Sequence, residues 1–108
     1  GKAAVDAEAT PTGRFMRQVT SAVEQRWHEL FSQQKPDAGN AGYLKVRFYV
    51  NKEGRPQDLV FVEKTGNVVI EDLTLEAILK AEIPAMPKEL LPLLEGERLL
   101  VEYDIVIQ

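Results

Sequence analysis

Residues 43–50, Tyr-Leu-Lys-Val-Arg-Phe-Tyr-Val, alternate between apolar and polar without a fault. Leu44, Val46, Phe48 and Val50 point to one side, and Lys45, Arg47 and Tyr49 to the other, because successive strand residues face opposite ways. A strand of this kind has one face to bury and one to wet, so the rest of the chain must supply a cover for it. Two further segments fit beside it. Asn51-Lys52-Glu53-Gly54 is a turn with glycine where a positive φ is wanted, and 56–63 returns as a second strand, with Leu59 and Phe61 on one face and Val60 and Val62 on the other. In 98–107, Leu99, Val101, Tyr103, Ile105 and Ile107 share one face, and Leu100, Glu102, Asp104 and Val106 share the other.

The cover comes from two amphipathic helices. Over residues 13–33, Phe15, Val19, Val23 and Trp27 recur at four-residue steps, and Ala22, Leu30 and Phe31 widen the stripe. Lys35-Pro36 and then Asp37-Ala38-Gly39-Asn40 end this helix in a loop. Lys64-Thr65-Gly66-Asn67 breaks the second strand. Residues 70–81 form the second helix, with Glu71 and Asp72 in the turn where the dipole favours acids and Leu75, Ile78 and Leu79 as the buried stripe. Ile83-Pro84-Ala85-Met86-Pro87 runs extended, since a residue before proline avoids the helical region, and 88–96 makes a Leu-rich turn. Residues 1–12, Ala-rich and without an apolar period, read as a disordered linker or tail, leaving 13–108 as the folded domain.

The expected class is α+β in the order α-β-β-α-β, with two helices packed on one face of a three-stranded antiparallel sheet. Strand order follows from two details. Pro56 cannot donate to a ladder, which places strand two at an edge. Lys45 and Arg47 on strand one match Glu102 and Asp104 on strand three, which favours pairing those two. The order is then 2-1-3, with a right-handed crossover through helix two. Strand three keeps a long edge free of Pro and Gly. Such an edge suits an incoming extended peptide, unless Glu102 and Asp104 blunt it or a second copy of the chain occupies it. On the face away from the helices, Tyr49, Val60, Val62, Leu100 and Val106 form an apolar patch ringed by charges if nothing covers them.

Bulk properties close off other classes. The 108 residues make one domain, and a net charge of -4 argues against a nucleic-acid partner. Cysteine is absent, so there are no disulfides and no thiolate metal sites. His28 is the single histidine and has no second His or Cys to share a metal, so a surface or interface role suits it better. Ser32-Gln33-Gln34-Lys35 and Lys64-Thr65-Gly66 match short motifs of penicillin-binding enzymes, but the third motif is missing. Glu71-Asp72 and Glu95/Glu97 suit a helix start and a solvated loop better than acid-base work. Trp27 lies in the core stripe of its helix, which makes packing a better account than a partner anchor. No catalytic, cofactor or metal role is expected.

From Gly54 onward the elements fall in a familiar series. Gly54 is followed by Leu59 and Phe61, by Lys64-Thr65-Gly66-Asn67, by Ile70-Glu71, by Leu75, Ala77 and Ile78, by Ile83-Pro84-Ala85-Met86-Pro87, and by Leu99, Val101 and Tyr103. Preceded by the Phe15/Val19/Val23/Trp27 helix, this series resembles the C-terminal domain of the TonB/TolA family over roughly residues 14–108. It departs from the family at Lys64-Thr65, at Pro56 and in the long Leu90-Leu91-Pro92-Leu93-Leu94 stretch. The resemblance implies a periplasmic domain anchored to the inner membrane through an upstream segment and driven there by a motor complex. It implies capture of a short segment of an outer-membrane transporter, added as a strand along residues 98–107. A TolA-like domain, engaging Tol-system proteins, is the alternative. TolA domains often carry a disulfide that this chain cannot form, so the resemblance leans to TonB.

Overall fold

The computed structural model describes residues 10–34, 42–64 and 68–107. Helix α1 runs Pro11–Gln34, strand β1 Gly42–Val50, strand β2 Pro56–Lys64, helix α2 Val68–Lys80 and strand β3 Leu99–Ile107, with short 3-10 turns at Lys88–Leu93 and Glu95–Glu97 before β3. The class is α+β in the expected order. The sheet is antiparallel and three-stranded, in the order β2-β1-β3.

Helix α1 starts earlier than its apolar stripe suggests. The Thr10 hydroxyl accepts from the Gly13 N–H at 2.9 Å, and the Thr10 carbonyl accepts from the Arg14 N–H at 2.9 Å. Thr10 is thus the N-cap and Pro11 the first helical residue, where a missing N–H costs nothing. Pro11 and Thr12, read with the tail, belong to the helix; the remainder of that tail, the 35–40 loop and the break at Thr65-Gly66-Asn67 lie outside the described residues.

One face of the sheet carries the core. Phe15, Val19 and Val23 of α1 pack on Val46, Phe48 and Val50 of β1 and Val101 of β3, all 0–1% exposed. Leu59 and Phe61 of β2 pack against the same cluster while half-buried. Helix α2 buries Ile70, Leu73, Thr74, Ala77 and Ile78, a stripe at three- and four-residue steps. The expected stripe is corrected here. Ile78 is buried, but Leu75 is only half-buried and Leu79 is 59% exposed, because Leu79 lies one residue, about 100°, past the face that meets α1.

The segment after α2 is tied back over the hairpin. The Met86 N–H donates to the Lys52 carbonyl at 2.9 Å, and Met86 and Leu90 join the main core. Asn51 organises the turn below. Its side-chain oxygen accepts from the N–H groups of Glu53 (3.1 Å) and Arg55 (2.9 Å). Gly54 sits at φ +84°, and a Cβ there would lie 2.6 Å from the carbonyl oxygens of both Ile83 and Pro84. The glycine and the Ile-Pro segment, far apart in sequence, are therefore two sides of one contact.

Candidate partner-binding site

The two edges of the sheet differ. Along β2, pairing with β1 slips between Lys45 and Val46 and again between Arg47 and Tyr49, so β2 carries an extra residue at each place. The second slip contains Asp58, which adopts φ +55°. Bulges twist a strand away from a straight ladder, and Pro56 removes one donor at its start, so this edge is poorly shaped for a further strand. Along β3 the register with β1 is unbroken from Gly42↔Ile107 to Val50↔Leu99. Among the described residues β3 pairs with β1 alone, which leaves its other side as a straight, unpaired backbone edge.

The expected edge residues divide by face. Leu99, Val101 and Ile105 point into the core and are 0–7% exposed, while Tyr103 is half-buried on the same side. Leu100, Glu102, Asp104 and Val106 are exposed on the other face. The side chain of Ile107 lies outside the described residues. Charge matching across β1 and β3 is direct, with Lys45 opposite Asp104 and Arg47 opposite Glu102. Asp104 also accepts from the Tyr43 hydroxyl at 3.2 Å.

A groove of about 170 Å³ opens beside this edge, lined by Glu24, Trp27 and His28 of α1 and by residues 103–106 of β3. Trp27 is positioned from behind. Its indole N–H donates to the buried Thr74 hydroxyl at 3.1 Å, and its ring stacks on Phe31 with centroids 5.0 Å apart. His28 sets its ring edge-on to Trp27 and lies 3.7 Å from the Glu24 carboxylate. Burial, and secondly the Glu24 charge, push the Tyr103 phenol above its ordinary value of 10.0. Trp27, placed with the core by the sequence pattern, thus lies half-buried with one part lining a groove.

The face of the sheet away from the helices is more divided than the sequence suggests. Val60, Val62, Leu100 and Val106 are exposed by 43–62%. Arg47 stands opposite Val60 on one side and Glu102 on the other, so the outward column of β1 runs between the β2 valines and Leu100. Tyr49 is covered by Arg98, whose guanidinium lies 3.9 Å from the ring centroid and 2.9 Å from an Asp58 oxygen. Arg98 thus reaches from the start of β3 across β1 to the bulge of β2. No periodicity singles out this residue; only its place before the last strand hints at it.

Other sequence candidates find ordinary positions. Lys64 pairs with Glu71 at 3.4 Å, joining the end of β2 to the start of α2. Among the described residues no group of three or more His, Asp or Glu side chains is arranged to hold a metal, and no helix is long and apolar enough to cross a membrane. No protein-family model matches the chain, and no curated protein matches it.

Proposed function

We propose that this chain is a non-enzymatic partner-binding domain of an envelope-spanning energy transducer, which captures a short extended segment of an outer-membrane transporter by adding it as a strand to β3. The observation that carries this reading is the contrast between the edges. One is bulged and proline-started, and the other is a straight nine-residue strand with its outer backbone groups unpaired. Main-chain hydrogen bonds give strand addition its affinity, and they require such an edge. The ordered resemblance to TonB/TolA C-terminal domains supports the transporter segment as occupant. It also supports a periplasmic location, with an upstream anchor in the inner membrane coupled to a motor complex. A Tol-system protein is the alternative partner on the same resemblance.

Amide chemical-shift titration with N-terminal plug peptides of outer-membrane transporters tests this reading. Shifts are expected along 99–107, on β1 behind it and in the α1 segment 24–28. A tight, concentration-independent dimer in sedimentation, with no peptide shifts at millimolar concentration, would replace it with a structural dimerisation role for the same edge.

A further inference from the structure

The groove between α1 and β3 lies where the side chains of a strand added to β3 would reach the helix. Residues of that strand facing the helical side stand next to Tyr103 and Ile105, since same-face neighbours on adjacent strands lie side by side. Beyond them is α1, with Trp27 and Glu24. At about 170 Å³ the space suits one long side chain and falls short of the ~300–1,000 Å³ typical of small-molecule sites.

The charges around this space are one-sided. Among the described residues that line it, Glu24 on α1 is the acid on the helical side, Asp104 on β3 turns its side chain to the other face, and none is a lysine or arginine. They differ in availability. Asp104 is shared with the Tyr43 hydroxyl and faces Lys45 across the ladder. Glu24 has His28 at 3.7 Å, which offsets its charge only when the imidazole is protonated. Trp27 and Tyr103 line the groove beside Glu24, and aromatic rings attract cations at their faces.

Resting on strand addition at β3, we infer that the groove is a side-chain subsite selecting an extended peptide whose helix-facing residue there is arginine or lysine. The aliphatic stem covers Trp27 and Ile105, and the cation ends at Glu24. Arginine is the better occupant, because its planar guanidinium stacks on an aromatic ring while pairing with a carboxylate.

The test uses blocked decapeptides of alternating Thr and Val with one central arginine, at position five or six so that one of the pair presents it inward. Matched peptides carry citrulline, which keeps the shape and removes the charge. Trp27 is the only tryptophan, so its fluorescence reads the groove without a label, while amide shifts of 99–107 read strand addition. The arginine peptide is expected to bind about ten-fold tighter than its citrulline twin. Glu24→Gln, an exposed helix position, is expected to remove most of that difference. Equal binding of the twins, or an arginine preference that survives Glu24→Gln, overturns the subsite and leaves strand addition standing. If no peptide shifts the β3 amides, both are overturned.

Discussion

The indole N–H of Trp27 reaches 47 residues along the chain to the buried hydroxyl of Thr74, at 3.1 Å. Thr74 is the one buried polar side chain among the described residues, and this bond gives it a partner. The same contact ties α1 to α2 behind the groove that Trp27 lines. Thr74→Val keeps the shape and removes the acceptor. Trp27 is only half-buried, so water replaces part of the loss, and the expected cost is about 1 kcal/mol. Denaturant unfolding measures the cost, and a shift in Trp27 emission reports the loosened ring. An unchanged midpoint and spectrum would show that stacking on Phe31 alone holds the tryptophan.

Gly54 couples the β1–β2 turn to the segment leading into β3. Its φ of +84° already disfavours any other residue, and an added Cβ would meet two backbone carbonyl oxygens at 2.6 Å. Backbone atoms cannot swing aside as a side-chain tip can, so Gly54→Ala must displace the Ile83-Pro84 segment. We expect a loss of at least about 2 kcal/mol, with the Met86–Lys52 hydrogen bond weakened first. Thermal melting gives the first quantity, and hydrogen exchange at the Met86 amide gives the second. A melting temperature within a degree or so of the parent would mean that the segment lifts off freely.

What the sequence discloses and what it hides divide along a physical line. Period-two alternation located β1 to within a residue, because that strand has one wet face, and the turn at residues 51–54 placed β2 as its return. The charges of Lys45, Arg47, Glu102 and Asp104 fixed the pairing of β1 with β3 because they face each other directly. The start of α1 was also written in the chain, in Thr10 followed by Pro11, but those residues carry no apolar period and fell to the tail. The bulges of β2 left only a weak trace. Pro56 marks the edge, yet nothing in Gln57-Asp58-Leu59 announces that Asp58 takes a positive φ. Leu79 was misplaced because a helix stripe read from hydrophobicity alone cannot say which neighbouring apolar residue faces the other helix. The groove and the Arg98 bridge were illegible for a different reason. Each joins residues more than 35 positions apart, and only the closed fold brings them together.

The free edge of β3 makes an alternating prediction. In an antiparallel ladder, every other residue of an edge strand turns its N–H toward its neighbour and the rest turn theirs outward. Amides of β3 bonded to β1 are expected to exchange slowly with solvent deuterium, and the intervening ones quickly. On binding an extended peptide, the fast set alone should become protected. Uniform slowing along 99–107 would point instead to global stabilisation, and unchanged exchange would place binding elsewhere.

Tyr103 ties the groove to alkaline stability. Burial and the Glu24 charge hold its phenol proton above the ordinary value of 10.0. An unfolded chain releases that proton near pH 10, while the folded chain retains it to higher pH. Above pH 10, unfolding therefore releases a proton, and stability falls with pH until the folded phenol ionises as well. Below pH 10 this contribution is present in full. Since the ring is only half-buried, the effect is expected to be modest. Tyr103→Phe should flatten the decline in stability from pH 10 upward relative to the parent. Glu24→Gln should move the Tyr103 titration down only part of the way to its ordinary value, because burial is the larger cause. Ring-resonance titration by NMR separates Tyr103 from the two other tyrosines. A Tyr103 titration that ignores Glu24→Gln would mean that the carboxylate turns away from the groove in solution, which would remove its support for a cation there.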